Sequence, residues 1–504
     1  MKKILLLISF VSVAMSSCST DITDMNVDPK RPTTTKPEYM FTNAEKKLVD
    51  QMASTNVNIN VFRLFAQQWA ETTYPNESQY ELTVRKIPDA HFRVLYRDVL
   101  ADFHDAKGMI KSQVTETDEA ALINQNKLAL IDVLEAYAYS ILVDTFGDVP
   151  YTQTGDIVKY PLPAYDDAQT IYKDLITRLT ADVAVLKKNA AYANFGGADI
   201  IYAGDAASNA KWVKFANSLI VRLAVNISDV DATYAATQVQ AAIASGVMTA
   251  NTDNTKLVYL TTSGNQNPLY ADLVVSKRDD FIPAETFVAA MDAVVPGGDP
   301  RMAKYFVNAT KPVPVIPAGR TYVGGTYGEA NVFATYSHIT ATLNKAEYPA
   351  TIFDFSELNF LLAEAAEKNL IPGGSAVAKT YYDAGITASM ADWGVAPAAI
   401  TTYLTQPKVN YLSAGSGATW KEKIGMQAWY ALYNRGFEAW TSYRRLDFPV
   451  LKSPTAAINK NILTVPVRYT YPGLEQSVNG TNYTKAAAAI GGDLLNTKLF
   501  WDKF

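Results

Sequence analysis

Apolar residues recur along this chain at helical spacing over long windows and at strand spacing almost nowhere. In residues 165–188, Ile171, Leu175, Leu179, Val183 and Leu186 fall four, four, four and three apart, one stripe of an amphipathic helix. Asp166 and Asp167 suit its N-terminal end. Residues 127–146 form a second strong helix, with Gly147 as a stop signal and Pro150 three residues later. Residues 210–227 place Trp212, Phe215, Leu219 and Leu223 on one face, and 355–368 do the same with Leu358, Leu361, Leu362 and Ala365. Further helices are expected near 40–70, 92–112, 232–246, 283–294, 376–392 and 420–441. Strand signals are short, the best being Lys256–Thr261, and no βαβ alternation is visible, which argues against a doubly wound sheet.

The expected fold is therefore mainly α. About four tetratricopeptide-like helix pairs form a scaffold with long irregular loops and a few short strands, although no fixed 34-residue period is legible. Residues 71–91, 247–282, 295–350 and 442–500 are rich in Gly, Pro, Asn, Thr and Tyr. Irregular stretches of that length in a compact body usually carry function. Tyr outnumbers Phe, 30 to 20, and tyrosine suits wet interfaces and sugar faces as well as cores.

The N-terminus carries an address. Lys2 and Lys3 precede an apolar run from Ile4 to Ala14, a signal-peptide pattern too short to span a bilayer. Ser16 and Ser17 lead to Cys18, the only cysteine. The segment resembles a bacterial lipobox, with Met15 where leucine is usual, and implies acylation of Cys18. Acyl chains add about 0.8 kcal/mol per buried methylene, so several anchor a body durably. The expected division is 1–17 signal peptide, 18–38 lipidated tether and 39–504 a single domain.

The chemistry of catalysis is missing. There is no HExxH, CxxC, GxSxG or GxxxxGK[ST], and three histidines with one cysteine nearly exclude His-rich metal sites and Cys–His nucleophiles. Asp279–Asp280, Asp166–Asp167 and Glu364 with Glu367 are close carboxylates of the kind a glycosidase needs. The second pair suits a helix start, however, and the third a helix face that needs charge. No catalytic residue, metal or cofactor is expected. With 45 basic against 50 acidic residues, a net charge of -5, the chain does not suit nucleic acid. Arg444 and Arg445 read as ion-pair partners of Glu438, and Trp429 and Trp440, eleven apart, as core.

Several blocks together resemble the SusD/RagB family of nutrient-binding outer-membrane lipoproteins, closest to its second SusD-like branch. They are AYAYSILVDTFGDVPYTQTG (136–155), PAYDDAQTIYKDLITRL (163–179), WVKFANSLIVRLAVNISD (212–229) and GGDPRM (297–302). FSELNFLLAEAAEKN (355–369), YDAGITASMADWG (382–394), WYALYNRGFEAWTSYRRLDFPVL (429–451), VPVRYTYPGLEQSVN (465–479) and LFWDKF (499–504) continue the series. The resemblance implies a lipid-anchored protein at the outer membrane of a Gram-negative bacterium, facing the cell exterior. It also implies a partner, a TonB-dependent transporter resembling SusC, to which a glycan or other nutrient is delivered. The competing readings are a tetratricopeptide scaffold for membrane-protein assembly and an extracellular glycan-degrading enzyme.

In the family the ligand platform comes mainly from the loop after the first long helix and from an insertion before the fourth repeat. Those regions are 69–91 and 265–340 here. The first offers Trp69, Tyr74, Asn76, Tyr80 and Arg85; the second offers Asn265, Tyr270, Tyr322, Tyr327 and Tyr336. Aromatic faces would cover sugar C–H patches, and amide or guanidinium groups would satisfy hydroxyls. For Trp69 a core role competes with the platform role.

Overall fold

The computed structural model describes residues 35–202, 205, 207–308, 320–458 and 462–503. The signal segment, Cys18 and most of the expected tether lie outside these residues. The tether's expected end is corrected at Pro37 and Glu38, which already belong to the first helix.

Helices pair in sequence order. α1 (Pro37–Ala53) packs on α2 (Ala101–Ser112), α3 (Asp118–Phe146) on α4 (Ala168–Lys188), and α5 (Ser208–Ile227) on α6 (Ala232–Ser245). α7 (Phe355–Glu367) and α8 (Gly374–Asp392) make the most extensive pair, and α9 (Trp420–Ala431) with α10 (Gly436–Leu446) adds a fifth. The mainly α, tetratricopeptide-like architecture is thus present.

Local chemistry explains the ends. The Thr117 hydroxyl accepts the Ala120 N–H at the start of α3, and Gly147, at φ 88°, closes it in a conformation that favours glycine. Asp167 caps α4 by accepting from Thr170, whereas Asp166 accepts the N–H groups of Tyr151 and Thr152 in the preceding loop.

Three expectations change. The helix expected over 40–70 ends at Ala53, and that over 420–441 breaks between α9 and α10. Gly436 there lies against the backbone of Phe62 and Arg63, where a Cβ would stand 2.3 Å from the Arg63 nitrogen. The loop expected over 442–500 holds two short helices, Gly473–Val478 and Gly480–Ala489.

Trp212, Trp429 and Trp440 are buried in the core. Arg444 and Arg445 are buried too, but their partners differ from expectation. Arg445 bonds Glu364 at 2.8 Å, and Arg444 lies 3.5 Å from the Trp440 ring centroid while donating to the Asp144 and Val467 carbonyls. Seven residues separate Glu438 from Arg445, so the two cannot be helix neighbours, which are three or four apart. Glu438 faces Arg435 instead, at 3.7 Å. Glu364 is fully buried between Arg445 and Lys368, so its half of the Glu364–Glu367 pair is not on an exposed face.

Candidate functional site

The two loop regions meet through a short antiparallel strand pair, β1 (Trp69–Glu71) with β2 (Phe281–Pro283). Trp69 faces Pro283, Ala70 faces Ile282 and Glu71 faces Phe281. Beyond the pair, the Thr72 N–H donates to the Asp280 carbonyl at 3.0 Å and the Thr72 hydroxyl to the Asp279 carbonyl at 2.5 Å. The strands thus clamp the start of one loop to the end of the other.

A cleft of about 290 Å³ opens at that junction. Its walls are the turn after α1 (Thr55 to Asn58), the loop from Glu71 to Arg85, and the segment from Ala271 to Phe281. Tyr74 stands on its wall with 59% of its surface exposed, an aromatic face not absorbed by the core. Arg85 lines the cleft, pairs with Glu77 and reaches Asn58 Oδ1 at 3.4 Å. Arg278 lines it and bonds Asp280 at 2.5 Å. Asp272 accepts from the Thr55 hydroxyl at 3.1 Å and so ties the turn after α1 to the opposite wall.

Glu71 and Glu77 form the cleft's buried acidic pair. Glu71 accepts the Ser78 N–H at 3.0 Å and the Ser78 hydroxyl at 2.6 Å. Burial, and then a hydrogen bond with Glu77, raise the Glu71 carboxyl well above the usual carboxylate range.

Of the expected site residues, Tyr74 and Arg85 line this cleft. Of the two roles open to Trp69, the structure gives it the core one. It is 1% exposed, its indole N–H donates to the Tyr433 hydroxyl at 3.3 Å, and its ring lies 5.5 Å from that of Phe281. Strand pairing turns it into the core. Tyr80, at φ 68°, is also buried, edge-on to Phe65 and next to the buried Tyr327.

Tyr322 is half-buried against Phe306, and Tyr336 packs on Ala70, Ile282 and Ala284. Asn76 is exposed but lies outside the lining, and Tyr270 is half-buried beside it in sequence to the lining residue Ala271. Asn265 is exposed in a turn closed by the Leu260 N–H to Asn265 carbonyl bond. Sequence reasoning missed the turn after α1, Glu71, Glu77, Asp272 and Arg278. Asp280 was visible only as half of a carboxylate pair.

Among the described residues no helix is long and apolar enough to cross a membrane, and no cluster of three or more His, Cys, Asp or Glu side chains suits a metal ion. No curated protein sequence matches this chain. A family model described as "Starch-binding associating with outer membrane", SusD-like, matches residues 29–472. A solved chitin-binding protein superposes with a TM-score of 0.78 at 26% identity, covering 93% of this chain and 100% of that one. A SusD homologue from Bacteroides uniformis gives 0.75 at 23% identity, covering 92% of this chain and 100% of its own. A chitin-binding SusD homologue from Flavobacterium johnsoniae gives 0.74 at 22%, covering 92% and 98%. With a family model matching most of its length and this helical scaffold beneath its loops, the chain belongs to the SusD-like family of outer-membrane-associated proteins.

Proposed function

We propose that this protein is a cell-surface glycan-binding lipoprotein, anchored through Cys18, that captures ligand in the cleft and delivers it to a TonB-dependent transporter resembling SusC. The observation that carries the reading is the cleft itself. Two distant loop regions converge there, and an exposed tyrosine stands among Arg, Asn and carboxylate groups. That mixture suits a sugar, whose C–H face stacks on an aromatic ring while its hydroxyls exchange hydrogen bonds with polar groups. Family membership supports the outer-membrane setting, and the similarity to a chitin-binding protein supports an N-acetylhexosamine glycan as the first ligand to try. No bond need be broken in this role.

The test is calorimetric titration of chitin oligosaccharides into the protein and into Tyr74→Ala. Binding by the parent and weaker binding by the variant support the reading; equal affinity refutes the cleft as the site. Delivery is tested by purification from native membranes in mild detergent, where a large β-barrel partner should co-purify in near-equal amount. Cys18→Ala should leave the membrane fraction, and a variant that stays there after a salt wash refutes the lipid anchor.

A further inference from the structure

Two guanidinium groups line the cleft, and both are held in the same way. Arg278 donates from Nε to Asp280 at 2.5 Å, and no described residue accepts from its two terminal amino groups. Arg85 pairs through Nε with Glu77, and beyond that only its Nη1 finds an acceptor, Asn58 Oδ1, at 3.4 Å. The two side chains stay 54% and 35% exposed on the cleft wall. Each positive charge is therefore matched by a carboxylate of the wall, while N–H donors in a rigid fork are left over. Donors whose charge is already matched suit a neutral acceptor, such as an amide carbonyl. A carboxylate or sulfate on the ligand would come up against Glu77 and Asp280 beside the arginines, and against Asp272 across the cleft. The same walls carry apolar groups, Ala271, Leu273 and Phe281, along with Tyr74.

We infer that Arg85 and Arg278 determine specificity in this cleft, their terminal N–H groups donating to the acetamido carbonyls of a bound chain of N-acetylated amino sugars. This rests on the glycan reading of the same cleft, and adds the chemical group that is read and the residues that read it. The acetamido carbonyl accepts from a guanidinium, and a hydrogen bond with one charged partner is roughly twice as strong as a neutral one. The acetamido methyl has Ala271 and Leu273 to lie against. A plain hexose puts a hydroxyl at that position, with no carbonyl and no methyl. A free amine brings a charge of the same sign as the guanidiniums and no acceptor.

The probes are β-1,4-linked oligomers of N-acetylglucosamine and of glucose, equal in length and different only in the group at C2, with a uronate oligomer beside them. In calorimetric titration the acetylated oligomer should bind about tenfold tighter than either of the others, a gap of ~1.4 kcal/mol. Arg278→Gln should narrow that gap by weakening the acetylated oligomer alone, and Arg85→Gln should do the same. Arg278→Lys keeps the charge but loses the fork, and should also narrow it. Tyr74→Ala should weaken the acetylated and glucose oligomers alike. Because Arg85→Gln strands Glu77 in the wall and can fail to fold, the more exposed Arg278 carries the test in that case. A glucose or uronate oligomer that binds as tightly as the acetylated one, with Tyr74→Ala still weakening it, would overturn the selectivity and leave the glycan cleft standing. A gap that persists in every arginine variant that folds would overturn the assignment to these residues. Binding that ignores Tyr74→Ala, or no binding of any oligomer, would remove the cleft reading and this inference with it.

Discussion

Glu45 and Asp199 in the helical scaffold, and Glu71 and Glu77 in the cleft, are both buried carboxyl pairs, but they are placed differently. Asp199 accepts the Ile201 and Tyr202 N–H groups and the Trp212 indole at 2.7 Å, and Glu45 accepts the Ile200 N–H at 2.8 Å. That pair takes four protein donors on a fixed frame, while Glu45 Oε1 is left without one. In the cleft, Glu71 accepts from Ser78 and hydrogen-bonds Glu77, and Glu77 is paired with the Arg85 guanidinium. The difference separates a pair that joins α1 to the following helices from one that lines an open cavity.

The same contrast runs through the aromatics. Trp69 and Tyr74 lie five residues apart, one in the core and one in solvent. Trp69→Ala should cost about 3–5 kcal/mol and melt the protein early. Melting curves that match the parent would place the strand pair outside the core. Tyr74→Ala should barely move the melting midpoint, staying within about 0.5 kcal/mol. In the glycan titration it should weaken affinity about tenfold, from a lost stacking contact of ~1–2 kcal/mol.

Acid should attack the scaffold before the cleft. His91 is fully buried among Phe62, Phe146 and Tyr469, and burial lowers its pKa from 6.5 to about 3. The unfolded chain takes up that proton first, so the stability tied to neutral His91 is complete above pH 6.5 and is lost as pH falls toward 3. Urea unfolding over that window should show a declining midpoint, and a flat profile would place His91 in contact with water.

The smallest effect distinguishes the two acid pairs. Glu45 is raised above its usual range by burial first and then by Asp199, so it favours folding at low pH. That contribution is lost as pH rises from the ordinary glutamate range through its raised folded value. Glu45→Gln keeps a donor toward Asp199 without that proton, and should raise the melting midpoint modestly at neutral pH with glycan affinity unchanged. Glu71→Gln should change affinity. Identical behaviour of the two variants would erase the distinction between scaffold and site.

Much of the fold was legible because helices are local. The stripe from Ile171 to Leu186 and the stop at Gly147 depend on neighbours within a few residues, and both are in place. The break at Gly436 was not legible, since it answers to the backbone of Phe62 and Arg63 far back in the chain. In the candidate site, Tyr74 and Arg85 could be picked from loop composition, whereas the burial of Trp69 and Tyr80 could not. Three residues of strand at 69–71 leave no periodic signature until Phe281–Pro283 supplies the other half.

By itself the amino-acid sequence determined the helical scaffold, the apolar run from Ile4 to Ala14 ahead of Cys18, and the two loop regions rich in aromatic and polar residues. It could do so because periodicity, turn chemistry and a signal pattern are written in contiguous residues. Which of those loop residues face a ligand was decided by the tertiary structure alone. The β1–β2 pairing joins segments distant in the chain, turns Trp69 inward, leaves Tyr74 outside and brings Glu71 and Glu77 to Asp272, so that burial and charge at the cleft arise only when the strands meet.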